Sequence, residues 1–149
     1  MEEVKKKIQV LLDALITLED AVDYFYECEE IFDADSSRQN ERAFLSSRDS
    51  IIQRFEYCID LFWKILKVCL DVEKIDVPMV SSREIVRISV ASRFLSEDEG
   101  AQCMEMVKAR NKTSHIYHEV MADEISHEVP KFYELMQMIA ERMQKRWGE

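Results

Sequence analysis

Apolar residues recur along this chain at alternating spacings of four and three. Val4, Ile8, Leu11, Leu15, Leu18, Val22 and Phe25 form the first series. On a helix such a series makes one stripe with a period near 3.5 residues, the seam geometry of bundles and coiled coils. It predicts a first helix that fades near Phe32. The polar run Asp33-Ala-Asp-Ser-Ser-Arg-Gln-Asn40 follows. Its residues compete with helical hydrogen bonds, so it reads as a linker. A second series, Ile51, Phe55, Cys58, Phe62, Ile65 and Cys69, is widened by Ile52, Ile59 and Leu66. It predicts the longest helix, from about Glu41 to Glu73. The opposite side carries Glu56, Asp60, Lys64 and Lys67, with Asp60 and Lys64 at a favourable i,i+4 spacing. Trp63 on that side is expected to cover another helix or a partner. Asp76-Val-Pro78 is the expected stop, since a residue before proline is pushed away from helical angles.

Two shorter helices open on capping-box patterns, Ser81-Ser-Arg-Glu84 and Ser96-Glu-Asp-Glu99. The first carries Ile85, Ile88 and Phe94 or Leu95; the second runs through Cys103, Met106 and Val107 to Arg110. A last helix begins after Tyr117, with Ile125, Val129, Phe132, Met136, Ile139 and Met143 on its apolar face. Pro130 within that pattern predicts a kink or a break. The pattern implies an all-α, up-and-down helical bundle of five helices with a four-helix core, one domain spanning residues 1–149.

Composition supports this class. Two Gly and two Pro leave little turn material for an all-β fold. A formal net charge of -10 argues against backbone-wide nucleic-acid binding, although not against a small basic site. The cations Arg83, Arg87, Arg93, Lys108, Arg110 and Lys112 gather in the two short helices. That segregation favours a polyanion or an acidic partner at that end. No apolar run reaches the roughly 20 residues needed to span a bilayer. The first 22 residues read as a helix rather than a signal peptide. The four separated cysteines, Cys28, Cys58, Cys69 and Cys103, are expected to be reduced thiols in a cytoplasmic protein. The eight methionines read as adaptable core filling.

The candidate chemistry lies in Arg110-Asn-Lys-Thr-Ser-His-Ile-Tyr117. An Arg presents a planar fork of donors to phosphate oxygens, and a His exchanges a proton near neutral pH. On a continuous helix, five residues turn the two side chains about 140° apart. Arg110 and His115 therefore meet one ligand only if the helix ends between them or a second chain supplies one of them. Thr113 and Ser114 are poor helix formers, which suits a helix end there. Residue chemistry alone leaves two readings open, a phosphate-handling site and a solvated polar turn.

Arg110-x4-His115-x-Tyr117 matches the R-x4-H-x-Y motif of HEPN-domain proteins. Together with Gln53-Arg-Phe-Glu-Tyr-Cys-Ile-Asp-Leu-Phe-Trp-Lys64 and Ser82-Arg-Glu84, it resembles the branch called nucleotidyltransferase substrate-binding proteins. The resemblance covers roughly residues 45 to 142 and is weak over the first helix. It implies a helical-bundle partner of a small nucleotidyltransferase, in a toxin–antitoxin type pair. It further implies a homodimer whose paired motifs cleave RNA without a metal or other cofactor. Carried onto this chain, Arg110 stabilises charge on the phosphate, His115 moves a proton, and Asn111 orients the phosphate or the imidazole. Tyr117 matches the tyrosine that the transferase adenylylates to silence the toxin. Glu56 stands as a supporting candidate to orient Arg110, against the reading of an ordinary surface carboxylate. The alternative function is a non-catalytic substrate-binding subunit of the transferase. Glu124-x-x-His127 and His115-x-x-His118 lack the further ligands a metal site needs, and no Gly-rich phosphate loop is present.

Overall fold

Among the described residues, the computed structural model forms five helices, α1 (Glu2–Ala34), α2 (Arg38–Val72), α3 (Ser82–Ala91), α4 (Glu97–Thr113) and α5 (Glu119–Trp147). It describes residues 1–77, 81–115 and 119–149. The three long helices α1, α2 and α5 all pack on one another. The α3–α4 hairpin closes the bundle, with α4 resting on both α2 and α5. The all-α expectation holds, and the apolar stripes read from the sequence form the core. Leu11, Leu15, Phe25, Ile51, Phe55, Phe62, Val129 and Met136 are fully buried.

The polar run after α1 is shorter than its composition suggests. Only Asp35 to Ser37 separate α1 from α2. The Asp35 side chain accepts from the Ser37 amide at 3.2 Å, the Ser37 hydroxyl accepts from the Asn40 amide at 3.4 Å, and Asn40 Nδ2 donates to the Asp35 carbonyl at 2.9 Å. The residues that look like loop are thus N-cap residues that start α2 three positions earlier than its apolar pattern indicates. At its other end α2 stops at Val72, before the proline. Lys74 takes a left-handed φ of 58°. Its amide bonds to Asp71, and the Ile75 amide reaches back to Leu70, a Schellman arrangement. The expected stop at Pro78 falls outside the described residues. Arg93, with φ 67°, ends α3 in the same way. α5 is one continuous helix through Pro130, so of the kink or break expected there the break does not occur. Val129 and Phe132, at 0% and 2% exposure, anchor the core on both sides of the proline.

Trp63 packs inside the bundle, 7% exposed and edge-on to Phe62 at 4.8 Å. All four cysteines are free and buried. Burial pushes the Cys58 thiol up to about 11, and those of Cys69 and Cys103 up to about 12. Such thiols stay protonated and behave as small core residues. No helix among the described residues is long and apolar enough to cross a membrane.

Candidate functional site

α4 positions the motif. Its start is fixed by a complete capping box: the Ser96 hydroxyl accepts from the Glu99 amide, and the Glu99 carboxylate accepts from the Ser96 amide at 2.9 Å. Glu99 is also gripped by both terminal nitrogens of Arg142 on α5, at 2.8 and 2.7 Å. That fork holds its carboxyl down at about 2, against a smaller opposing effect of burial. α4 is thereby clamped to α5 at one end. Gly100 lies where α3 and α4 touch; a Cβ there would meet Val90 Cγ2 at 2.5 Å.

At the other end α4 finishes at Thr113, with Ser114 as its cap, so the helix does end between Arg110 and His115. Arg110 is held from three sides. Its Nε and Nη2 donate to the two Asp60 carboxylate oxygens, each at 3.0 Å. Its Nη1 donates to Glu56 at 2.8 Å and to the Thr113 hydroxyl at 2.8 Å. The Thr113 hydroxyl is also within 2.9 Å of Glu56 and 2.7 Å of the Arg110 carbonyl. The hydrogen bonds to Asp60 chiefly raise the Arg110 pKa, with burial opposing them. The guanidinium is a fixed, fully charged fork with one terminal N–H unused by these contacts.

Glu56, the supporting candidate weighed against an ordinary surface carboxylate, is therefore part of the Arg110 network. Asp60 and Thr113 are the residues sequence reasoning missed. Asp60 is not paired with Lys64, the i,i+4 partner its spacing suggests; both its oxygens face Arg110, 50 positions along the chain. The missed signal was available: Glu56 and Asp60 lie one turn apart on one face of α2, a spacing able to hold a guanidinium from a facing helix. Arg110 and Asn111 line a cavity of about 260 Å³ with Asp60, Trp63, Ser82 and Ser114. His115, exposed just past the end of α4, does not line it. Arg110 and Asn111 thus share one cavity, and His115 is not among the residues that line it. Tyr117 and His118 fall outside the described residues.

The remaining sequence candidates take ordinary roles. His127 Nδ1 lies 2.7 Å from the Asp123 carbonyl, and its other nitrogen contacts Glu29 of α1. No group of three or more metal-ligating side chains gathers among the described residues. Met106, Met136 and Met143 fill the core.

Residues 6–145 match the family model described as nucleotidyltransferase substrate binding protein like. The match takes in most of α1, where the motif resemblance was weak. No curated protein matches the chain. Among solved structures, a protein from Thermus thermophilus is 28% identical, with 90% of this chain and 98% of that chain covered at a TM-score of 0.70. A tri-AMPylated Shewanella oneidensis HEPN toxin, in complex with MNT antitoxin, is 17% identical over 91% of this chain and 97% of that one, with a TM-score of 0.65. The toxin–antitoxin MntA–HpeT is 14% identical, with a TM-score of 0.67 over 92% of this chain and 98% of that one. At these identities the last two share the fold with this chain.

Proposed function

The chain belongs to the nucleotidyltransferase substrate binding protein like family, and we propose that it is the HEPN partner of a small nucleotidyltransferase. In this reading it acts as a metal-independent ribonuclease toxin, silenced by adenylylation of Tyr117. The observation that carries the reading is the end of α4. A preorganised, permanently charged Arg110 stands there beside Asn111, and an exposed His115 lies just beyond the last helical residue.

The chemistry follows from that arrangement. His115 takes the proton of a ribose 2′-hydroxyl, and the freed oxygen attacks the adjacent phosphorus. The bond to the 5′-oxygen breaks, that oxygen takes a proton from water as it leaves, and the phosphate closes into a 2′,3′-cyclic ester. Charge gathers on the non-bridging oxygens as this happens, where the one free terminal N–H of Arg110 and the Asn111 amide donate. His115 does not line the Arg110 cavity, and in this reading two copies of the motif face each other across a two-fold axis. Burial of Trp63 within the bundle removes it as a dimer contact, so the homodimer rests on the motif alone. Adenylate transferred to the Tyr117 oxygen, with release of pyrophosphate, adds a bulky anion two residues from His115. It opposes an RNA phosphate by repulsion and by occlusion.

One observation favours a second reading, a non-catalytic substrate-binding subunit. The Arg110 donors are largely occupied by its own chain, and with Glu56 and Asp60 the formal charge around it is negative rather than positive. Expression in a bacterial host separates the two readings. The ribonuclease reading expects growth arrest from the chain alone, relieved by a co-expressed minimal nucleotidyltransferase partner, with an adenylate adduct on Tyr117 by intact mass. A binding subunit forms the complex without arresting growth.

A further inference from the structure

A second cavity, of about 530 Å³, lies where the end of α1, the start of α2 and the start of α5 converge. Its apolar wall includes Phe32 and Phe44, stacked with centroids 5.5 Å apart. Val120, 69% exposed, stands at its edge. Its carboxylates are Glu41, Glu119, Asp123 and Glu124. Arg48 also lines it, yet this side chain is only 9% exposed and forms no ion pair with those four among the described residues. Its Nε is buried without a hydrogen-bond partner. A buried guanidinium nitrogen left unsatisfied is costly, and a docked partner that turns this side chain toward the cavity supplies the acceptor it lacks.

These features select the occupant. Four carboxylates against one guanidinium exclude an anionic ligand by repulsion. A metal ion is disfavoured because no set of three ligating groups converges among the described residues. A small polyamine would meet the carboxylates but offer no acceptor to Arg48. A polypeptide supplies all three complements at once: basic side chains for the carboxylates, an apolar contact for Phe32, Phe44 and Val120, and backbone carbonyls for Arg48.

We propose that this cavity docks a basic, apolar-tipped segment of a partner protein. Resting on the reading above, that partner is the nucleotidyltransferase. Glu119 and Val120 follow Tyr117 by only two and three positions, so a segment seated here holds the transferase within reach of its target.

The test is affinity between the full chain and the nucleotidyltransferase that partners it, by calorimetry or biolayer interferometry, with the Tyr117 adduct followed by intact mass. Glu119→Lys/Glu124→Lys reverses two exposed or edge charges and is expected to weaken the complex tenfold or more and slow the adduct in parallel. Reversing one basic residue of the transferase segment to Glu should restore much of the loss. Arg48→Met should weaken binding while the melting temperature stays level or rises, which a purely structural Arg would not permit. A complex that forms and is indifferent to both variants overturns this docking site and leaves the proposed function standing. No complex with the unaltered chain overturns both. A dimer of the chain alone that Glu119→Lys/Glu124→Lys dissociates assigns the cavity to a second copy and overturns the proposal.

Discussion

Replacing Arg110 with Ala should destabilise the chain as well as silence it, and the two effects can be separated. The substitution removes two hydrogen bonds to Asp60, one to Glu56 and one to Thr113. Bonds to charged groups contribute roughly 1.5–3 kcal/mol each when shielded. Asp60 is 58% exposed, so its share is small after solvent screening. Glu56, at 32% exposure, and the buried Thr113 retain more. The loss should be about 2 kcal/mol, because two facing carboxylates are also left without a cation. For a domain of this size that lowers the melting temperature by about 4–8 °C. A triple variant, Glu56→Gln/Asp60→Asn/Arg110→Gln, removes the orphaned charges and should recover at least half of the drop. Arg110→Lys keeps a charge but not the fork, so it should fold nearly as the parent does and still lose RNA cleavage. Thermal denaturation by circular dichroism measures all three. An Arg110→Ala variant that melts within about 1 °C of the parent would refute the claim that this network holds the end of α4.

His115→Ala removes an exposed side chain, so its stability should change by less than about 0.5 kcal/mol while any RNA cleavage disappears; melting curves beside a cleavage assay check both. Glu99 titrates at about 2 rather than the usual 4.5 because of the Arg142 fork, a difference equivalent to about 3 kcal/mol. A depressed folded value means this stability is present above about pH 4.5 and is lost as pH falls toward 2; in melts across this acid range and up to neutrality, Glu99→Gln should flatten that limb. Gly100→Ala gains helix propensity of about 1 kcal/mol but drives a Cβ into the stiff Val90 side chain, so urea unfolding should show a net loss of about 1–2 kcal/mol. Tyr117→Phe should remain active and take up no adenylate when co-expressed with the transferase, as read by intact mass.

The helices were legible because burial on one face imposes a spacing that few other structures share. Ile51, Phe55, Cys58 and Phe62 announce α2 without any neighbour being known. The start of α2 was less legible, since Asp35, Ser37 and Asn40 suit a loop and a helix cap equally well. Pro130 was legible only in part: its local penalty is visible in the sequence, whereas the packing of Val129 and Phe132 on both sides of the unbroken helix is tertiary. The motif residues were legible as a group, and so was the end of α4 beyond Thr113. What holds Arg110 was not. Asp60 has a plausible local partner in Lys64, and only the approach of α4 to α2 shows that its carboxylate is committed elsewhere. Arg48 was equally silent, a charged residue on a polar-looking turn of helix whose burial comes from three converging elements.

The most direct test of the central claim is the chemistry of the ends left on RNA. The unmodified chain, purified without the transferase, is incubated with single-stranded RNA in excess chelator, and the products are read by mass spectrometry. The expected products are 2′,3′-cyclic phosphate ends opposite 5′-hydroxyl ends, lost with His115→Ala or Arg110→Lys and lost when Tyr117 carries adenylate. RNA left intact by stoichiometric, dimeric, unmodified protein would contradict it and establish the chain as a binding subunit.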